Sequence, residues 1–197
     1  MNELLEKCTL ARAAAQKLIS VETTVKDAAL DAIANALIAR ADEIIAANDK
    51  DIAAAKEKGT RQAMIDRLTL TKERIEGIAE GVRQVKALSD PIGEVTKMWK
   101  RPSGLLIGQK RVPMGVIAII YEARPNVTVD AAVLCLKTSN VCVLRGGSEA
   151  INSNVAIMKI MQEAAYGAGL PEGSLNIIED TSRETATKLM QMNGYID

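Results

Sequence analysis

From Val116 onward one unit recurs three times: a short apolar run, a polar turn and a helix-like stretch. The apolar runs are 116–120, 141–144 and 175–178. The turns that follow are 121–125, 145–148 and 179–180, and the helical stretches are 127–137, 149–167 and 181–192. Short apolar runs that alternate with helices are buried strands whose connections cross over, which makes the sheet parallel. This pattern sets the fold class as α/β. The last helix is expected to open on a capping box, Thr181 with Glu184 three residues later.

Two other textures precede this region. Residues 1–90 are Ala-rich and helical in period; over 25–47, Ala29, Ile33, Leu37, Ala41 and Ile44 repeat every three or four residues, with charges on the other face. Further helices are predicted near 3–19, 49–58, 61–67 and 71–88, and Asp90-Pro91 closes the series. Residues 91–112 read as an exposed β-hairpin, with strands over 94–100 and 105–112 and a turn at Arg101-Pro-Ser-Gly104. The division is therefore 1–90 helical, 91–112 hairpin and 113–197 Rossmann-like βαβ.

Composition narrows the chemistry. The 197 residues contain no His, which excludes an imidazole base, a Ser-His-Asp triad and a His-ligated metal site. No metal site is expected. Twenty-five basic residues balance 25 acidic ones and aromatics make up 2%, which argues against nucleic-acid binding. No stretch approaches the length of a membrane span and no signal peptide is visible, so a cytoplasmic protein is expected. Residues 101–160 nevertheless carry 7 basic and 3 acidic side chains, a local excess around Gly-rich turns that suits a phosphate-bearing small molecule.

Ligands of open parallel sheets bind beyond the carboxyl ends of the strands. The turn Arg145-Gly146-Gly147-Ser148-Glu149 is the most informative such place: the glycines permit close backbone approach, Arg145 offers a planar fork for phosphate, and Ser148 can cap the next helix. A tight turn with a solvated arginine fits the same residues. At the preceding turn, Arg124 and Asn126 could donate to an anionic substrate or an oxyanion; Asn126 could equally cap a helix from Val127. Tyr121 reads as cleft lining. Cys8, Cys135 and Cys142 show no CxxC spacing, lie in apolar surroundings and read as reduced structural thiols.

The segments Val112-Pro-Met-Gly-Val-Ile-Ala-Ile-Ile-Tyr-Glu-Ala-Arg-Pro-Asn-Val-Thr-Val-Asp130 and Val-Leu-Arg-Gly-Gly-Ser-Glu-Ala150 resemble the γ-glutamyl phosphate reductases, a branch of the aldehyde dehydrogenase superfamily. The likeness runs over essentially the whole chain. It implies NADPH-dependent reduction of γ-glutamyl phosphate to glutamate 5-semialdehyde in proline biosynthesis, through a thioacyl enzyme. It also implies a homo-oligomer; the hairpin at 94–112 is expected to pair with another subunit or another part of the enzyme, because an isolated hairpin is only marginally stable.

By position, Arg145 resembles the superfamily lysine that reaches the adenosine ribose, with Gly146, Gly147 and Glu149 beside it in the cofactor turn. Ser148 falls where many NAD-using relatives place a glutamate on the ribose hydroxyls; loss of that carboxylate suits the 2′-phosphate of NADPH. Arg124 aligns with an oxyanion-serving asparagine. The nucleophilic cysteine of the family lies in a separate catalytic domain, and none of the three cysteines here matches its motif. The expectation is a cofactor-binding portion that is inactive alone; a non-catalytic dinucleotide-binding or interaction module is the alternative.

Overall fold

The computed structural model describes residues 3–197. Its elements are helices α1 (Glu3–Leu18), α2 (Thr23–Ala39), α3 (Ala41–Glu57), α4 (Gln62–Leu68) and α5 (Lys72–Ala87), then strands β1 (Val95–Lys100), β2 (Leu106–Lys110) and β3 (Val116–Ile120), helix α6 (Pro125–Lys137), strand β4 (Val141–Arg145), helix α7 (Ile151–Gly167), strand β5 (Leu175–Ile177) and helix α8 (Arg183–Met190). Strands β3, β4 and β5 form a parallel sheet in that order, with Ile120 opposite Arg145 and Leu144 opposite Ile177. The predicted α/β architecture is the one observed.

The strands are largely apolar because helices cover the sheet; the polar members are Arg145 at the end of β4 and Asn176 in β5, whose buried amide donates to the Cys142 and Gly173 carbonyls. The crossover helices α6 and α7 pack against β4 and β5 and against each other, and α1 crosses all three strands. Helices α2, α3 and α5 form an outer layer on α6 and α7, so the early helices share one hydrophobic core with the sheet. Beyond the sheet, the backbone N–H of Asp197 donates to the Val116 carbonyl at 3.0 Å, placing that residue along the outer edge of β3. No helix among the described residues is long and apolar enough to cross a membrane.

Two helix boundaries differ from the sequence reading. The stretch 25–47 is broken at Arg40, and α3 runs unbroken through 48, where a gap was expected. Nothing in the local sequence marks the break, since Arg40 is neither Gly nor Pro. Tertiary contacts hold it: the guanidinium donates to Glu43 on α3 and to Glu163 on α7. Within α3 the polar pair Asn48 and Asp51 is buried rather than turned to solvent. Asn48 donates to the Leu68 carbonyl and to Ser153 Oγ and accepts from the Leu70 N–H, so the hydrogen bonds of its side chain are all long-range.

Lys26 and Lys137 reverse the usual placement of lysine. Lys26, which shares the apolar face of α2 with Ala29, Ile33 and Leu37, is 1% exposed; its ammonium pairs with Asp90 and donates to Ser139 Oγ at 2.8 Å. Lys137, 3% exposed at the end of α6, pairs with Asp27 at 2.7 Å and donates to the Lys86 carbonyl. These two lysines bind α2, α5 and α6 to one another. The hairpin β1–β2 lies outside the core, with Met98 and Leu106 about three-fifths exposed and Lys97 stacked 5.5 Å above the Trp99 ring.

Candidate functional site

The three turns at the carboxyl ends of β3, β4 and β5 converge on one cavity of about 800 Å³. Tyr121, Glu122 and Arg124 come from the first turn, Arg145, Gly147, Ser148 and Glu149 from the second, and Thr181 and Arg183 from the third, while Met64 and Arg67 close it from α4. The parallel register makes this convergence: Ile120 and Arg145 are paired neighbours, so the chain leaves both strands at one level.

Arg145 is half-buried and its fork is partly committed. Nη2 donates to the carbonyls of Thr181 and Ser182, which ties the second turn to the third. Nε is buried with no hydrogen-bond partner. A buried, unpaired donor of a permanently charged group at a cavity wall calls for an acceptor. With no carboxylate at Ser148, the residues present therefore fit an anionic group of a dinucleotide. Arg183, which the sequence reading did not single out, lines the same cavity, and its guanidinium has no ion pair or hydrogen-bond partner among the described residues.

At Gly146 packing alone already requires glycine. A Cβ there would run into Asn154 Nδ2 and into the Tyr121 ring, at 3.2 Å from its hydroxyl. Beneath the turn, the Tyr121 hydroxyl is 2.6 Å from Thr128 Oγ1, which donates to Asn154 Oδ1 at 3.0 Å. With Thr128 donating onward, Tyr121 donates to Thr128. Burial pushes the Tyr121 hydroxyl up to about 12, against the Thr128 hydrogen bond, so the ring lines the cavity as a neutral donor.

The helix caps also differ from those expected. Ser148 makes no cap bond; a 3₁₀ turn over Ser148–Ala150 precedes α7. The first N–H groups of α7 donate instead to the buried carboxylate of Asp51, Asn152 N–H at 3.2 Å and Ser153 N–H at 2.8 Å, with Asn152 Nδ2 and Ser153 Oγ joining them. This N-terminus is thus occupied by a protein anion. Helix α8 is capped by Ser182, one residue later than the capping box at Thr181, and Ser182 Oγ accepts from Thr185 N–H.

Helix α6 starts at Pro125 with Arg124 as its N-cap. Asn126 therefore lies inside the first turn and caps nothing; its amide donates to Asp130 Oδ2 at 3.1 Å. Arg124 and Asn126 face a second cavity of about 580 Å³, between α6 and α5, lined also by Arg67, Arg74, Gly77 and Asp130. The three thiols are buried and free. Burial raises each of them, Cys135 to about 11, so none is an available nucleophile.

An open parallel sheet whose carboxyl-end turns surround a basic, Gly-lined cavity defines a nucleotide-binding α/β protein. Comparison with known proteins narrows the class. The profile of the aldehyde dehydrogenase family matches residues 2–195, and the chain belongs to that family. It is 58% identical over 196 residues to the γ-glutamyl phosphate reductase of Clostridium perfringens and 54% identical over 197 residues to that of Caldicellulosiruptor bescii. Among solved structures, the γ-glutamyl phosphate reductase of Thermotoga maritima superposes with a TM-score of 0.97 at 42% identity, covering 99% of this chain and 47% of that one. All of this chain, but only 47% of each of those two curated relatives, enters the match, so the chain spans about half their length.

Proposed function

We propose that the chain is the cofactor-binding half of a γ-glutamyl phosphate reductase. In that enzyme an acyl phosphate and NADPH, with a proton, give glutamate 5-semialdehyde, NADP⁺ and inorganic phosphate, in the cytoplasmic pathway to proline. The observation that carries the reading is the likeness to reductases of that name, above 50% identity across the entire chain. Family membership implies a nicotinamide dinucleotide; NADPH in particular is supported by Arg145 and Arg183 on the cavity wall and by the absence of a carboxylate at Ser148.

In this proposal the turn of Arg145, Gly146, Gly147, Ser148 and Glu149 holds the dinucleotide, and Gly146 also lets the turn close over Asn154. When bound, the cofactor supplies hydride. Arg124, with Asn126 behind it, serves the substrate or its oxyanion at the mouth of the sheet. The thiolate nucleophile has to come from the portion of the reductase that this chain does not cover, because the thiols here are buried. Residues 1–90 and 113–197 form the cofactor-binding part. The exposed apolar hairpin of 91–112 pairs with another subunit or domain in a homo-oligomer.

The test is cofactor discrimination. Arg145→Ala is expected to weaken NADPH about tenfold, the loss of about 1.4 kcal/mol from one charge-assisted phosphate contact, while leaving NADH within about twofold. Equal losses for the two cofactors in a binding titration would reduce Arg145 to its tie with Thr181 and Ser182.

A further inference from the structure

Arg67 and Arg124 line both cavities, and among the described residues neither guanidinium has an ion pair or a hydrogen-bond partner. Their neighbour Arg74 is saturated: it donates to the carbonyls of Asp66 and Thr69 and pairs with the Asp66 carboxylate at 3.1 Å. Removing that internal pair leaves the smaller cavity with two unpaired cations where it adjoins the larger one, and one carboxylate, Asp130, that lines the smaller cavity alone. Partial desolvation raises the Asp130 carboxyl above its ordinary value, against the Asn126 hydrogen bond, so its charged form gains from a cationic partner. Gly77 and Gly81, one turn apart on α5, face this space, and a Cβ built at either meets nothing within 4 Å.

A substrate that receives hydride has to place its reacting end where its own cavity meets that of the cofactor. Groups that line both cavities therefore serve the reacting end, and groups that line the smaller cavity alone serve the other. We infer that Arg67 together with Arg124 grips the phosphoryl group of an acyl-phosphate substrate where the two cavities adjoin, and that Asp130 receives the α-ammonium of its amino-acid end. From the N-cap of α6 to Asp130 is about 9 Å along the helix axis, comparable to an extended glutamyl phosphate. When the thiolate bonds to the acyl carbon, the carbon–oxygen bond to phosphate breaks and its electron pair leaves on the phosphate; two guanidiniums stabilise that growing charge. A cavity for a simple aldehyde would need neither end charged. The inference rests on the reductase reading and adds Arg67 and Asp130 to it.

The test runs the whole reductase in the phosphate-consuming direction, with inorganic phosphate, glutamate 5-semialdehyde and NADP⁺. Arg67→Gln is expected to raise KM for phosphate at least about tenfold with KM for NADP⁺ unchanged, and Arg67→Lys to recover part of the loss. Asp130→Asn is expected to raise KM for the semialdehyde alone. A rise in KM for NADP⁺ in place of phosphate assigns Arg67 to the cofactor and overturns the clamp, as does an equal rise for all three substrates. A direct titration separates this failure from that of the reductase reading. The wild type should prefer L-glutamate to glutarate, which lacks the ammonium, and Asp130→Asn should erase the preference. Absence of any preference in the wild type overturns the role of Asp130, whether or not the enzyme reduces an acyl phosphate.

Discussion

Asp90→Ala is expected to lower folding stability by about 3–5 kcal/mol, because it leaves the Lys26 ammonium buried without its counter-charge. Lys26 is 1% exposed and Asp90 10%, and the same carboxylate also accepts from the Ile92 N–H and from the exposed Thr23 Oγ1, so one truncation removes three hydrogen bonds and leaves the buried ammonium without its counter-charge. The direction of the Asp90 titration adds a second signature. Burial alone would raise its carboxyl, but hydrogen bonds from Lys26, Thr23 and Ile92 hold it below the ordinary aspartate value. A depressed carboxyl contributes stability above its unfolded value and loses it as pH falls through the folded one. The wild type should therefore weaken below about pH 4 more steeply than Asp90→Ala. Urea titrations across pH check both points. A double variant, Lys26→Met with Asp90→Ala, should recover much of the loss, since replacing both charges removes the stranded ammonium. Failure to recover would mean that packing around the stem of Lys26, not its charge, dominates.

Asp51→Ala is the second large effect, expected at about 3 kcal/mol. The carboxylate is 3% exposed and accepts four hydrogen bonds from Asn152 and Ser153, two from backbone and two from side chains. Its removal uncaps α7 directly behind the Arg145–Glu149 turn, so NADPH affinity should fall along with the urea midpoint. Asp51→Asn, which keeps one acceptor oxygen, should lie between. An unchanged midpoint in Asp51→Ala would show that Ser148 or solvent can take over the cap.

The contrast between these residues and the strands shows what the sequence exposes. Strands β3, β4 and β5 are legible because strands packed under helices read as short, largely apolar runs, and the turns behind them because Gly146-Gly147 and Pro125 punctuate locally. The hairpin is legible for the same reason at Arg101–Gly104. Residues whose role depends on distant partners are not legible this way. Lys26, Lys137, Asn48 and Asp51 carry the composition of a solvated helix face or a turn, and their burial is compensated only by groups from other elements. The caps show the same limit: Asn126 and Ser148 have cap chemistry, yet Pro125 moves the start of α6 upstream and Asp51 reaches α7 first.

Within the site, the cluster 145–149 and the pair Arg124 and Asn126 were visible from turn position and chemistry. Arg67 was not, because an arginine on a short helix gives no signal until α4 folds against the place where the two cavities adjoin. Arg183 was hidden in the same way by the one-residue shift of the α8 cap.

The central claim is that the cavity at the strand ends receives the dinucleotide. Hydrogen exchange with and without saturating NADPH tests it most directly. Slowed exchange is expected at 121–126, 145–149 and 179–183, the three turns that meet at that cavity, with the hairpin strands 95–100 and 106–110 unaffected. Protection confined to the hairpin, or none at saturation, would contradict the assignment.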